Sequence, residues 1–144
     1  MWMTILNYFY PVTDVYSHRP EHLTATGGFT DVTTVRWLVI NAEANRDMAY
    51  RPFLITQTKA KVYQGRDSEW KEGARQLGNY LKTPSGTKVR RKRYWGILAI
   101  GTGVEFYEYN RYGKELTCYT ERLDVERDAR AVRRFLNEIK KDSE

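Results

Sequence analysis

The sequence predicts an α/β fold in which a mixed β-sheet is flanked by helices. Three observations lead to this prediction. Several segments rich in β-branched and aromatic residues predict strands, longer segments with apolar residues at helical spacing predict helices, and the two kinds alternate along the chain. The chain has 144 residues, of which 41% are apolar, which matches the size of one domain with one hydrophobic core. We therefore expect a single domain over residues 1–144.

The N-terminal part predicts a short helix and then a hairpin. Four apolar residues recur at helical spacing before Pro11, although a strand is an alternative for this segment: Trp2, Ile5, Leu6 and Phe9. The polar stretch 13–28 is predicted to be a connection. Segments 33–40 and 53–59 predict two strands, and the polar segment 41–51 between them predicts the connection of a hairpin.

The central part predicts one helix followed by three strands. Apolar residues recur at i, i+4, i+7 and i+11, with Asp67 or Ser68 available as the N-cap: Trp70, Ala74, Leu77 and Leu81. A stretch rich in glycine, proline and charged residues follows at 83–93. The predicted strands are 94–100, 104–109 and 115–119.

A second amphipathic helix is predicted at the C-terminal end of the sequence. Its apolar residues again follow the helical period: Val125, Ala129, Val132, Leu136 and Ile139. Asp124 is a plausible N-cap, and basic residues in the last turns suit the helix dipole. The predicted order is helix, strand, strand, helix, strand, strand, strand, helix, with the last helix packed on the sheet.

Composition indicates the class of partner and the cellular environment to expect. Lys and Arg number 24 and Asp and Glu 18, so the net charge of +6 favours a polyanionic partner such as nucleic acid, although a merely basic protein is the alternative. Cys118 is the lone cysteine and predicts a reduced, structural thiol. No apolar stretch approaches the roughly 20 residues of a membrane span, so we expect an intracellular protein.

Three polar residues on the two strands of the predicted hairpin form the candidate site. Asp31 lies at the start of the first strand, and Gln57 and Lys59 lie two apart on the second, so the period of two places Gln57 and Lys59 on one face. Metal-assisted hydrolysis of a phosphodiester needs converging oxygen ligands and a cation that orients water or stabilises charge. An Asp, an amide oxygen and a Lys can supply these groups if the strands are neighbours.

Three short motifs follow one another in the sequence: Gly28-x-x-Asp31, Gln57-Thr58-Lys59 and Gln76-Leu77-x-x-Tyr80. Their order and element types resemble the motif series of RecB-like PD-(D/E)XK nucleases, including restriction-endonuclease-like and fungal members. The resemblance covers roughly residues 28–109. It implies a restriction-endonuclease-like fold and hydrolysis of nucleic acid with Mg²⁺ or Mn²⁺. It also implies catalytic roles for Asp31, Gln57, Lys59, Gln76 and Tyr80, and metal ligation by Asp31, Gln57 and Thr58.

The chain departs from that motif series at Gln57, where the family has an acidic residue. A neutral amide oxygen binds a hard cation more weakly than a carboxylate. Glu43 is a possible substitute acid. Two functions therefore stay open: a metal-dependent nuclease, or a catalytically degenerate nuclease fold that binds nucleic acid or protein without cleaving.

A dense cationic run beside Tyr94 and Trp95 predicts a nucleic-acid surface, together with Lys61: Lys88, Arg90, Arg91, Lys92 and Arg93. A solvated loop or a nuclear-localisation segment has the same composition, so a nuclear protein is a further expectation. Oligomeric state is not predicted.

One competing motif is His18-Arg19-Pro20-Glu21-His22, which fits the H-x-x-E-H pattern of inverted zinc peptidases. That pattern needs a continuous helix, and Pro20 between the two histidines opposes one. We expect a capped turn with exposed histidines instead.

Overall fold

A computed structural model describes residues 1–23, 30–39, 48–82 and 92–144. For residues 21–23, 30, 39, 48 and 49 it describes the backbone alone. Within these ranges the helices are α1 Trp2–Phe9, α2 Asp67–Lys82 and α3 Ala129–Ser143. The strands are β1 Tyr16–Leu23, β2 Thr30–Val39, β3 Met48–Lys59, β4 Arg93–Ile100, β5 Gly103–Asn110, β6 Glu115–Cys118 and β7 Leu123–Asp124. Single 3-10 turns lie at Val12–Asp14 and Lys61–Tyr63.

The seven strands form one mixed sheet in the order β1-β2-β3-β4-β5-β6, and β7 pairs with β5. Strands β3 and β4 are parallel, because α2 connects them as a crossover, and the other pairs are antiparallel. The sheet with helices packed on it confirms the predicted α/β class and mixed strand directions.

Helices cover both faces of the sheet, and strand β4 shows why. Trp95, Ile97 and Ala99 belong to the apolar cluster that includes residues of α1 and α3. Tyr94, Leu98 and Ile100, the alternating positions, belong to the cluster that includes residues of α2. Because side chains alternate along a strand, a strand that is apolar at every position must be covered on both sides. We refer below to the α1/α3 face and the α2 face.

Helix α2 lies close to β4 at a glycine. A Cβ atom placed on Gly96 would lie 2.7 Å from Cδ2 of Leu77, which is a clash in a buried position. Leu77 is fully buried. The absence of a side chain at residue 96 therefore sets how near α2 sits to the sheet.

Most predicted elements are confirmed, and the hairpin strands are longer than predicted. Helices α1 and α2 and strands β4, β5 and β6 lie where the patterns placed them. Strand β3 begins at Met48, inside the predicted connection 41–51. Residues 125–128 precede α3 instead of forming its first turn, because the carboxylate of Asp124 accepts the main-chain N–H groups of Glu126 and Arg127 at 2.9 and 3.0 Å.

The prediction that 13–28 is a connection was wrong for β1. This strand is at the edge of the sheet, where Pro20 is tolerated because its missing N–H can face away from the partner strand. Tyr16 is buried in the α1/α3 cluster, whereas Ser17 lies on the opposite side. Because most residues of β1 are polar, the sequence lacks the alternation of apolar and polar residues that predicts a strand.

Cys118 ends strand β6 and its residue is exposed. Its Sγ lies 3.1 Å from the carbonyl oxygen of Thr120, so it does not occupy the interior position that a structural thiol would prefer. In the described ranges, no helix has both the length and the apolar character needed to cross a membrane.

Candidate functional site

The hairpin register brings the strand-borne candidates together. Asp31 of β2 and Gln57 of β3 are direct cross-strand partners, and Lys59 follows two positions later on the same side. Ile55, two positions before Gln57, packs in the cluster with α2, so this is the α2 face. Asp31 is 4% exposed and Gln57 is 0% exposed. The structure therefore places a carboxylate, an amide and an ammonium group side by side beneath α2.

Tyr80 of α2 approaches this group from the helix side. Its hydroxyl is hydrogen-bonded to the carboxylate of Asp31. Burial, then the negative charge of Asp31 and this hydrogen bond, raise the pKa of the Tyr80 hydroxyl. Tyr80 stays protonated and can donate to Asp31, which orients the carboxylate.

Lys59 is almost entirely enclosed, since 5% of its side chain is exposed. Its ammonium forms an ion pair with the carboxylate of Glu69 in the first turn of α2 and lies 4.3 Å from the centroid of the Tyr63 ring. No sequence motif pointed to Glu69. The short link between the end of β3 and the start of α2 is the signal that could have found it, because it brings the first turn of the helix over the end of the strand.

Gln76 lies one helical turn before Tyr80 on α2, but its side chain contacts another residue of the same helix. Its amide nitrogen donates to Oε1 of Glu72 at 3.1 Å, and Glu72 also accepts from Arg75. The hydrogen bond from Arg75, followed by that from Gln76, lowers the pKa of Glu72 to about 2. Glu72 is therefore a permanently ionised carboxylate one helical turn after Glu69.

The amide of Gln57 is the chemically unusual group. Both its nitrogen and its oxygen are buried and have no hydrogen-bond partner within the described part of the chain. The amide oxygen of Gln76 also lacks a hydrogen-bond partner there. Buried polar atoms nearly always have partners, and an unsatisfied one costs roughly 1–3 kcal/mol. Gln57 therefore weakens the fold at this point, which is typical of a residue kept for another purpose.

The oxygen atoms at this patch suit at most a weak site for a single Mg²⁺ or Mn²⁺. Asp31 supplies a carboxylate, and the unsatisfied amide oxygen of Gln57 is available beside it. Mg²⁺ is commonly held by one or two carboxylates, with waters and substrate phosphates completing the shell. The described residues contain no group of three or more His, Cys, Asp or Glu placed to hold a metal ion. The side chain of Thr58 alternates to the other face, so only its main-chain oxygen could contribute.

The predicted cationic surface is only partly described. Lys88, Arg90 and Arg91 lie outside the described residues, as does Glu43. Lys92 is exposed, and Lys61 is exposed in the turn that follows Lys59. Arg93 is paired with Glu108 at 2.8 Å and with Asp142 of α3 at 3.6 Å, which places it on the α1/α3 face, away from Asp31. Of the described cations, Lys61 lies nearest to Lys59 in sequence.

The prediction of exposed histidines in a capped turn was wrong for His18. It lies in β1, half-buried, and its ring nitrogens are 3.0 Å from the hydroxyl of Thr34 and 3.0 Å from the carbonyl oxygen of Tyr10. Residues 18–22 form a strand and not the helix that an H-x-x-E-H zinc site requires. His18 therefore ties β1 to β2 and to the residue after α1; the side chain of His22 lies outside the described residues.

Comparison with models of protein families, with curated proteins and with solved structures finds no match to this chain.

Proposed function

We propose that this chain is a nuclease-like domain that hydrolyses phosphodiester bonds in nucleic acid. The observation that carries the proposal is the register of β2 and β3, in which Asp31 faces Gln57 and Lys59 follows on the same side. Tyr80 joins the group from α2. Three motifs that lie far apart in the sequence thus meet at one patch, which supports the resemblance to PD-(D/E)XK nucleases.

The residues can divide the chemistry among them. The ammonium of Lys59 can stabilise negative charge that develops on a phosphate and can orient a water molecule, and its enclosed position strengthens both effects. Tyr80 holds Asp31 by donating a hydrogen bond. Asp31 and the oxygen of Gln57 would hold Mg²⁺ or Mn²⁺, which when bound supplies neutralisation of the phosphate and activation of water.

The test is incubation of the full chain with single- and double-stranded DNA and RNA in the presence of Mg²⁺ or Mn²⁺. We expect fragments from the unmodified chain, loss of cleavage in Lys59→Ala, and no loss in Lys141→Ala, which removes an exposed lysine of α3 on the other face of the sheet. Gln57→Glu should increase cleavage, because it adds a carboxylate beside Asp31. Intact nucleic acid with both the unmodified chain and Gln57→Glu, when circular dichroism shows both to be folded, contradicts hydrolysis.

A second function, binding without cleavage, is favoured by the ion pair of Lys59 with Glu69. That pair neutralises the cation that hydrolysis would use, and Gln57 leaves the patch one carboxylate short. A binding domain should retain nucleic acid on a column or in an anisotropy assay, with an affinity that falls steeply as salt rises and that survives Lys59→Ala. Cleavage that depends on Lys59 contradicts this alternative.

The cationic residues at 88–92 and Lys61 are proposed as part of the contact surface, and the same run is the reason for proposing nuclear location. A fluorescent fusion of the full chain checks the latter. Its signal should leave the nucleus when Lys88, Arg90 and Arg91 are replaced by alanine, and an unchanged distribution contradicts the proposal.

A further inference from the structure

Two aromatic rings and a guanidinium form a compact cluster on strands β1, β2 and β3. The rings of Trp37 and Tyr50, which are direct cross-strand partners, have centroids 5.5 Å apart and meet edge to face. The guanidinium carbon of Arg19 lies 3.9 Å from the centroid of the Tyr50 ring and 5.7 Å from that of Trp37. The indole nitrogen of Trp37 donates to the hydroxyl of Ser17 at 3.0 Å, which fixes the ring. We call Arg19, Trp37 and Tyr50 the aromatic platform.

The aromatic platform lies on the same face of the sheet as Asp31. Arg19 pairs with Thr33, two positions after Asp31, and Trp37 lies four positions further along β2, so all three occupy one side. On strand β3, simple alternation from Ile55 would place Tyr50 on the opposite face, but β3 has a bulge between these two residues. The pairing register with β2 shifts at the Thr34/Val35 step, and the consecutive residues Phe53 and Leu54 both pack in the α1/α3 cluster. The bulge therefore returns Tyr50 to the side of Trp37.

Helix α2 packs on β3, β4 and β5 of this face. The platform residues belong to β1, β2 and the start of β3, and each of them is partly exposed, although tryptophan and tyrosine are otherwise prominent in the core of this protein. Trp37 lies six positions after Asp31 on β2, a length of about 20 Å along the strand. Thr33 and Val35, which face the same side between these two residues, are buried, so the platform is a separate surface on the face that carries the candidate site.

The chemistry of the platform suits nucleobases. Flat aromatic rings beside an arginine are the groups that stack on unpaired bases, because every base offers a π-face, and arginine adds attraction to the phosphate. The net charge of +6 favours the same polyanion. Bases in a duplex are already stacked on each other and cannot use such a surface, so the platform selects for single strands.

We propose that Arg19, Trp37 and Tyr50 bind the bases of single-stranded nucleic acid. This inference rests on the proposed function, since it names the form of nucleic acid that the site receives. A protein segment that packs on the same rings is the competing occupant and is one outcome of the test.

The distribution of tryptophans makes the test specific. The chain has four, and Trp2, Trp70 and Trp95 are 6%, 3% and 4% exposed, whereas Trp37 is partly exposed. Titration of the full chain with oligothymidylate or oligouridylate should quench the intrinsic fluorescence, and Trp37→Ala should remove that quenching. Anisotropy of a labelled oligonucleotide should show binding about tenfold or more weaker in Trp37→Ala, and partial recovery in Trp37→Phe.

Tyr8→Ala is the matched control, because Tyr8 is an exposed aromatic on α1, which packs on the other face of the sheet. It should leave both quenching and affinity unchanged. Arg19→Ala should weaken binding and reduce its salt dependence. A duplex of the same sequence should bind more weakly than either single strand.

The inference is overturned if the oligonucleotides bind equally to the unmodified chain and to Trp37→Ala, or if they do not bind at all, the result expected when a protein occupies the platform. Its failure is distinguishable from failure of the proposed function. Cleavage that depends on Lys59 but not on Trp37 contradicts the role of the aromatic platform and leaves the proposed nuclease function intact. Fluorescence quenching that depends on Trp37, without cleavage by Gln57→Glu, contradicts hydrolysis and indicates a domain that binds single strands.

Discussion

The two faces of the sheet differ in how completely their buried polar groups are hydrogen-bonded. On the α1/α3 face, the hydroxyl of Tyr10 donates to the carbonyl oxygen of Leu136 at 2.7 Å, and that of Tyr16 is 3.0 Å from the hydroxyl of Ser143. Single atoms of this face, such as the indole nitrogen of Trp2 and the hydroxyl of Thr56, do lack a partner among the described residues. On the α2 face, the whole amide of Gln57 and the amide oxygen of Gln76 lack one. Both faces contain an apolar cluster, so burial alone does not separate them.

The difference is one of degree, and it singles out Gln57. Each missing hydrogen bond in the interior weakens the native state, and Gln57 lacks partners for both its donor and its acceptor. This amide lies beside Asp31, two positions before Lys59. We infer that Gln57 serves a task that tolerates a local cost.

The largest expected effect on this comparison comes from Glu69→Gln. The change removes the negative charge beside the enclosed ammonium of Lys59, and we expect a loss of about 1 to 3 kcal/mol in the free energy of unfolding, below the range for a fully buried pair because 22% of the Glu69 side chain is exposed. Urea denaturation measures it. Glu72→Gln changes a more exposed carboxylate of the same helix, and its free energy of unfolding should be close to that of the unmodified chain. Equal stability of the two variants contradicts a structural role for the ion pair.

A middle-sized effect of opposite sign on the two faces is expected from Tyr10→Phe and Gln57→Leu. Tyr10→Phe removes a satisfied donor and should lower the free energy of unfolding by about 1 kcal/mol. Gln57→Leu removes an unsatisfied amide at similar volume and should raise it by about 1 kcal/mol.

Both variants are measured by the same urea denaturation. If Gln57→Leu destabilises as much as Tyr10→Phe, then Gln57 has a structural partner and the contrast between the faces fails.

The smallest effect concerns pH and His18, on the α1/α3 face. Burial lowers the pKa of His18 below its usual 6.5, and the hydrogen bond with Tyr10 offsets part of that shift. The unfolded chain therefore takes up a proton at this residue before the folded chain does, so stability present above pH 6.5 falls as the pH drops from there toward the folded pKa. Thermal melts should show a smaller decline over this interval in His18→Gln. An unchanged decline shows that other groups cause it.

The sequence predicted elements whose side chains follow a clear period and missed those defined by tertiary contact. The helical spacing through Leu77 and the β-branched run of β2 were sufficient because packing reinforces those patterns. Strand β1 was missed because an edge strand needs to be buried on one side only, and here that side carries one core residue, Tyr16, followed by the polar residue His18.

The same division holds for the candidate site. The period of two predicted that Gln57 and Lys59 share a side, but no local pattern predicted that Glu69 would pair with Lys59 or that Arg93 would pair with Asp142. These contacts depend on how α2 and α3 lie on the sheet. The platform needed the bulge in β3, since without it Tyr50 would lie on the side opposite Trp37.

The glycine at position 96 has an effect well beyond its own contact. Leu77 rests against it, and the same helix carries Glu69, Gln76 and Tyr80. A side chain at 96 would push against Leu77, which is fully buried, so either that leucine or the helix that carries it must shift. The space that one missing methyl group leaves for a leucine thus bears on where the helical half of the candidate site lies, although position 96 is not part of the patch.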